Sequence, residues 1–87
     1  MYRIVYTKQA AKDVKNLKAA HLDEKAKSLI EILRKDPFQN PPLYEVLVGN
    51  LSGFYSRRIN IQQRLVYQVI EDTVKVIRMW THYDGIG

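Results

Sequence analysis

The chain has 87 residues and carries 14 Lys and Arg against 9 Asp and Glu, a formal net charge of +5. This length allows a single small domain over residues 1–87, and a hydrophobic fraction of 46% excludes a disordered chain. The absence of cysteine excludes disulfides, thiolate metal sites and a cysteine nucleophile. No apolar run approaches the roughly 20 residues of a membrane span, and no signal peptide is recognisable, so we expect a cytoplasmic protein without a membrane partner. The excess of positive charge favours an acidic or polyanionic partner.

The first half of the sequence predicts one strand followed by two helices. Residues 2–6 are β-branched and aromatic, which is typical of a strand, and Thr7 can cap the helix that follows. Two segments then repeat apolar residues at three- and four-residue spacing, namely Ala10, Ala11, Val14 and Leu17, and then Leu22, Ala26, Leu29, Ile30 and Leu33. Asp36 and Pro37 should end the second helix, because proline disfavours a helical conformation in the residue before it. A helical hairpin on one face of a sheet is expected.

The second half of the sequence predicts four strands. The β-rich runs are residues 44–48, 54–60, 64–70 and 74–80. The links between the last three runs are short enough for hairpin turns, which predicts an antiparallel meander. The order β-α-α-β-β-β-β belongs to the α+β class. Apolar residues at both alternations of the late strands indicate that the sheet face without helices is partly covered as well.

Five side chains in this second half have the chemistry that cleavage of an RNA phosphodiester requires. Glu45 or His82 could serve as base or as acid. Arg58 and Arg64 could stabilise charge on the phosphate, and Tyr83 offers a ring for base stacking. Each of these residue types is also common as a solvated charge or as packing. Composition and spacing alone therefore indicate a small basic α+β domain and leave RNA binding open.

Three blocks of the sequence carry a resemblance to a known family. Residues 50–59 read N-L-S-G-F-Y-S-R-R-I, residues 64–67 read R-L-V-Y, and His82 and Tyr83 follow. This arrangement resembles the YoeB/Txe toxins of bacterial toxin–antitoxin modules, in the RelE/ParE superfamily. The resemblance covers essentially the whole chain, and its most specific part is residues 45–83. It implies a RelE/YoeB-like fold, a small antiparallel sheet with two N-terminal helices packed on one face.

The resemblance also implies an activity, which is metal-independent, ribosome-dependent cleavage of mRNA in the A site. In the family, the residues that match Glu45, Arg64 and His82 act as general base, transition-state stabiliser and general acid. The arginine that matches Arg58 contacts phosphate, and the aromatic residue that matches Tyr83 positions the nucleotide. The cleavage starts with attack by the 2′-hydroxyl group and needs no cofactor.

Two departures from the family pattern affect these expectations. The family usually has a lysine three residues after the acid, and this chain has Val48 there. We expect the missing cation either to weaken the phosphate contact or to shift that contact to Arg57 and Arg58. Residues 84–87 extend beyond the histidine–tyrosine pair with which family members often end.

The partners implied by the resemblance are a YefM/Axe-like antitoxin, mRNA, the 70S ribosome and, in a homodimer, a second copy of the chain. Two alternatives stay open at this point. One is a ParE-like toxin that inhibits a topoisomerase by binding and does no RNA chemistry. The other is a member that has lost activity through the departures at Val48 and the C-terminal extension. The set of Glu45, Arg64 and His82 favours the nuclease, because a purely binding toxin does not need it.

Overall fold

The computed structural model describes residues 1–48 and 53–82, with residue 82 described by its backbone alone. Seven elements follow one another: β1 (Arg3–Tyr6), α1 (Lys8–Ala19), α2 (Asp23–Lys35), β2 (Tyr44–Val46), β3 (Phe54–Arg58), β4 (Gln63–Ile70) and β5 (Thr73–His82). The predicted α+β class and the order of the elements are confirmed. Neither helix in these ranges is long and apolar enough to cross a membrane.

The helix ends lie where local chemistry places them. Thr7 is extended, and its Oγ1 accepts a hydrogen bond from the Ala10 N–H at 3.0 Å, so it satisfies one of the free donors at the start of α1. His21, just after α1, has a φ of 59°, the left-handed conformation with which many helices end. Asp36 is extended before Pro37, which ends α2 as the sequence predicts.

The five strands form one sheet in the order β1-β5-β4-β3-β2. The pairs β2–β3, β3–β4 and β4–β5 are antiparallel. The pair β1–β5 is parallel, with Arg3 opposite Thr73 and Tyr6 opposite Val76. The sheet is therefore mixed, and the expectation of a wholly antiparallel sheet is corrected at this one pair. Local sequence could not predict that pair, because its two strands are about 70 positions apart and no hairpin turn fixes their direction.

The main core lies between the two helices and one face of the sheet. Leu17 of α1 and Leu33 of α2 pack against Leu65, Tyr67 and Val76, and all five side chains are buried. Burying a side chain of this size contributes about 1.5–3 kcal/mol, so this layer is the main stabilising contact of the fold. The helix hairpin thus covers one face of the sheet and leaves the other face for a site.

One end of this core is aromatic. The rings of Phe38, Tyr44, Tyr55 and Tyr67 form a chain of contacts with centroid separations of 5.3–6.1 Å. The Tyr67 hydroxyl donates a hydrogen bond to the Pro37 carbonyl oxygen at 2.7 Å. The cluster therefore fastens the loop between α2 and β2 to the sheet.

Burial raises the pKa of Tyr67 to about 12, and the positive charge of Arg57 opposes part of the rise. Since this pKa lies above the ordinary value of 10.0, the stability contributed by neutral Tyr67 is complete below pH 10 and is lost as the pH rises toward 12. We expect the free energy of unfolding to fall by up to ~3 kcal/mol over this interval because of Tyr67. Urea denaturation of wild type and Tyr67→Phe across pH 9–12 checks this prediction. Parallel pH curves for the two proteins would contradict it.

Candidate active site

The strand register brings three of the predicted site residues to one face of the sheet. Glu45 lies opposite Ser56, and Arg58 lies opposite Arg64. Side chains alternate between the two faces along a strand, so Ser56 and Arg58 share a face, and Glu45 and Arg64 share it with them. Val66 is on this face too, because it lies opposite Ser56. We call the sheet surface that carries these five residues the open face, since the helices pack on the other side.

An ion pair joins Glu45 and Arg64 diagonally across β3. Arg64 Nη1 donates to Glu45 Oε1 at 2.8 Å, and the side chains are 9% and 34% exposed for Arg64 and Glu45, respectively. Because Glu45 is partly solvated, the pair stabilises the fold by no more than about 1 kcal/mol. Its geometry matters more than its energy, because it holds a potential base beside a guanidinium group that can bind a phosphate with two parallel hydrogen bonds.

Arg58 gives the open face an excess of positive charge. It is exposed and lies directly opposite the buried Arg64 on the neighbouring strand. Like charges in this position oppose sheet formation, and Glu45 offsets only one of the two. The arrangement of Arg58, Arg64 and Glu45 therefore leaves a net charge of +1, which suits binding of an anionic group between the two arginines.

The floor beneath this charged group is buried. Ser56 is fully buried and Val66 is 4% exposed, although neither belongs to the core under the helices. The Ser56 hydroxyl has no hydrogen-bond partner within residues 1–48 and 53–82. This face is thus partly covered, as the apolar residues at both alternations of the late strands predict.

The backbone of β5 ends beside Arg64. Thr81 lies opposite Arg64, and His82 follows it opposite Gln63. The main chain of His82 is therefore one residue from the strand position that faces Arg64. Tyr83 lies outside the described residues, and its predicted role stays a prediction.

Arg57 occupies a different place from the one predicted for it. It is fully buried on the helix side of the sheet, and its guanidinium donates to three carbonyl oxygens, those of Pro42 at 2.6 Å, Gln39 at 2.9 Å and Pro37 at 3.0 Å. The same group lies 5.1 Å from the ring centroid of Tyr44. A guanidinium held in this way cannot reach an RNA phosphate, so the prediction of phosphate contact does not fit Arg57. Its contacts instead fix the loop that leads to Glu45.

The alternation of side chains along a strand indicates, from the sequence alone, that Arg57 and Arg58 lie on opposite faces of the sheet. Adjacent residues of a strand point to opposite faces, so Arg57 and Arg58 cannot both face the same ligand. Only Arg58 shares its parity with Arg64 across the β3–β4 pair. This signal was available in the sequence once the two strands and their hairpin were assigned.

A buried carboxylate that the sequence analysis did not single out lies behind β5. Asp13 is 1% exposed, and its Oδ2 accepts hydrogen bonds from the backbone N–H groups of Met79 and Trp80 and from Arg78 Nε. The signal in the sequence is an acidic residue on an apolar helical stripe, three positions after Ala10 and four before Leu17. An acid at such a position is almost never buried without a partner.

A metal site is not formed by the described part of the chain. Among the side chains of residues 1–48 and 53–81, no three of His, Asp or Glu converge in a way that could hold a metal ion. Glu45 offers a carboxylate for acid–base chemistry, and Arg58 and Arg64 offer positive charge for binding an anion.

Comparison with known proteins identifies the family. A family model described as YoeB-like toxin of bacterial type II toxin-antitoxin system matches residues 6–83. Toxin YoeB of Escherichia coli (strain K12) is 42% identical over 60 residues, which cover 69% of this chain and 71% of that protein.

Two solved structures of Staphylococcus aureus YoeB are similar to this chain over most of its length. The heterotetrameric YoeB-YefM toxin-antitoxin complex matches with a TM-score of 0.80 at 30% identity, covering 95% of this chain and 99% of that chain. The YoeB dimer matches with a TM-score of 0.75 at 31% identity, covering 94% of this chain and 98% of that chain. The extent of the family match and the shared fold lead to one conclusion: the chain belongs to the YoeB-like toxins of bacterial type II toxin–antitoxin systems.

Proposed function

We propose that this chain is the toxin of a type II module and acts as a ribosome-dependent endoribonuclease. It cleaves mRNA in the ribosomal A site and so inhibits translation. Family membership supports a toxin, and the arrangement of charge on the open face supports a nuclease. Since its substrate is held by translating ribosomes, the protein acts in the cytoplasm.

The proposed reaction is attack of a 2′-hydroxyl oxygen on the adjacent phosphorus. Glu45 takes the proton from the 2′-hydroxyl, and His82 gives a proton to the departing 5′-oxygen. A new 2′-O–P bond forms and the P–O5′ bond breaks, which leaves a 2′,3′-cyclic phosphate and a 5′-hydroxyl. Arg64 stabilises the charge that grows on the phosphorane oxygens, and Arg58 binds the phosphate beforehand. Tyr83 stacks on a nucleotide base and so orients the scissile linkage.

The observation that carries this proposal is the 2.8 Å contact between Glu45 and Arg64 on a face that the helices leave uncovered. A guanidinium that is 9% exposed is costly to hold in a sheet. A role in binding and stabilising an anionic transition state accounts for this arrangement.

Primer extension on mRNA during translation tests the proposal. Induced wild-type toxin should produce new 5′ ends within translated codons, and His82→Gln should produce them at a rate lower by ~10²-fold or more at equal protein level. Cells should stop translating while DNA replication continues at first. An arrest of replication with intact mRNA would refute the nuclease and would support a topoisomerase inhibitor of the ParE type.

The proposed partners follow from the relatives. Staphylococcus aureus YoeB occurs with YefM in a heterotetramer and also as a dimer. We expect this chain to bind a YefM/Axe-like antitoxin and to form a homodimer when the antitoxin is absent. Light scattering of the purified toxin, alone and with its antitoxin, measures both assemblies.

The position of Val48 predicts a gain of binding. Val48 is 81% exposed and lies three residues after Glu45. A lysine there should contact an RNA phosphate, so Val48→Lys should lower the half-saturating concentration of ribosome–mRNA complex. It should also steepen the log–log salt dependence of binding by about 0.7, the effect of one added contact to single-stranded nucleic acid.

The matched control for this variant adds the same charge elsewhere. Ile70 is 48% exposed at the end of β4 that is remote from Arg64. Ile70→Lys should leave the half-saturating concentration nearly unchanged. Equal gains from both lysines would show a general effect of charge and would contradict a phosphate contact at position 48.

A further inference from the structure

The register between β4 and β5 shifts at two places. The shift between Arg64 and Val66 of β4 determines which residue of β5 lies opposite Arg64. Val66 lies opposite Arg78, and Arg64 lies opposite Thr81. Two steps along β4 therefore correspond to three steps along β5, so β5 contains an extra residue between positions 78 and 81, in a β-bulge. Without this residue, Trp80 would lie opposite Arg64.

The bulge also displaces the backbone of His82. It lies opposite Gln63, whereas without the extra residue between positions 78 and 81 it would lie opposite Gln62. One residue of strand corresponds to about 3.3 Å, and a one-residue change of register reverses the faces to which side chains point. The location of residue 82 relative to Arg64 thus depends on the bulge.

Asp13 holds this bulge from the neighbouring helix. Its Oδ2 accepts from the N–H of Met79 at 2.9 Å and from the N–H of Trp80 at 3.2 Å, two successive backbone donors in the bulged segment. The same oxygen accepts from Arg78 Nε at 3.0 Å, and Arg78 Nη2 donates to the Trp80 carbonyl oxygen at 2.7 Å. Gln9 Nε2 donates to the other carboxylate oxygen, Oδ1, at 3.2 Å.

These contacts give hydrogen-bond acceptors to backbone N–H groups in the bulge. A bulge leaves backbone groups without their regular cross-strand partners, and a buried N–H without a partner is costly. Asp13 accepts from both donors, and Thr7 holds the earlier irregularity of β5, because its Oγ1 donates to the Ile77 carbonyl oxygen at 2.7 Å. Helix α1 therefore fixes the path of β5 before the strand reaches the site.

We propose that Asp13 is a positioning residue for catalysis, and this inference rests on the proposed function. By stabilising the bulge at Met79 and Trp80, its carboxylate sets the register in which Thr81 and His82 pass Arg64. Asp13 touches no substrate and acts through the backbone of β5.

A double-mutant cycle between Asp13 and His82 tests the proposal with purified toxin and ribosome–mRNA complexes. Asp13→Asn should lower the saturating cleavage rate about tenfold or more, as a misplacement near 1 Å does, while the half-saturating concentration changes less than about twofold. In a His82→Gln protein, the same substitution should have little further effect, because the group that it positions is already absent. Additive losses in the double variant would overturn the proposal.

Two further variants separate positioning from general stability. Leu17→Ala truncates a buried core residue of the same helix without touching β5 hydrogen bonds, and at equal folded fraction it should retain the wild-type rate. A loss as large as that of Asp13→Asn would overturn the proposal.

Arg78→Met removes a donor to Asp13 and the contact to the Trp80 carbonyl, so it carries the same test if Asp13→Asn does not fold. A fully active His82→Gln protein would refute the proposed role of His82 itself, a result distinct from additivity.

Discussion

Replacing Arg64 by alanine should lower the rate of mRNA cleavage by ~10²-fold or more, the usual cost of removing a group that stabilises charge in the transition state. Arg64 lies opposite Arg58, and its guanidinium is in direct contact with the proposed base Glu45 at 2.8 Å. Its fork can follow the phosphate oxygens as they gain charge. The saturating rate in single-turnover cleavage of ribosome-bound mRNA measures the loss.

Two further variants show which property of the site a loss in Arg64→Ala reflects, namely Arg64→Lys and Glu45→Gln. Lysine keeps the charge and loses the fork, so its rate should lie between those of wild type and Arg64→Ala. Glu45→Gln removes the base but keeps an acceptor for Arg64, and its loss should be smaller if ribosomal groups assist proton removal. A soluble, folded Arg64→Ala protein with full activity would refute the assigned role.

Replacing the neighbouring Arg57 should destabilise the protein instead. Arg57→Met removes the donor shared by the carbonyl oxygens of Pro37, Gln39 and Pro42. The Pro37 oxygen keeps the hydrogen bond from the Tyr67 hydroxyl, whereas those of Gln39 and Pro42 lose this donor. Each buried acceptor that loses its partner costs about 1–3 kcal/mol, and part of this is recovered when the loop admits water. We expect the free energy of unfolding to fall by roughly 3 kcal/mol in urea denaturation.

Arg58→Met is the matched control, because it removes the same charge from the next residue of the same strand. Arg58 is exposed, so its replacement should change the unfolding free energy by less than about 0.5 kcal/mol. It should weaken binding to the ribosome–mRNA complex, whereas Arg57→Met should not do so at temperatures where it is folded. The reverse pattern would restore Arg57 as a phosphate ligand.

The elements that depend on local pattern could be predicted from the sequence. The apolar stripe from Ala10 to Leu17, the Thr7 cap and the stop before Pro37 are all local, and all are found where the sequence places them. The meander of β3, β4 and β5 follows from short turns. Glu45 and Arg64 were candidates on chemistry and resemblance, and the structure brings them together.

The features that the sequence analysis missed depend on contacts between distant segments. The parallel pairing of β1 with β5 joins positions about 70 residues apart. The burial of Arg57 depends on carbonyl oxygens of a loop 15 to 20 residues earlier. The bulge held by Asp13 joins a helix to a strand more than 60 residues later. Hydrophobic periodicity does not contain such information, because it shows which face of a helix or strand is apolar and not which distant segment packs against that face.

The parallel pairing of β1 with β5 also determines when the sheet can be completed during protein synthesis. Strand β5 is made after the other six elements, yet it lies inside the sheet, between the first strand and β4. A growing chain therefore has no partner for β1, and the helices lack Val74, Val76 and Met79 of their core until residues 73–82 have left the ribosome. Long-range pairing of this kind delays folding until its last strand is available. A nascent copy thus cannot bring the β5 backbone beside Arg64 while the ribosome that makes it is still translating these residues.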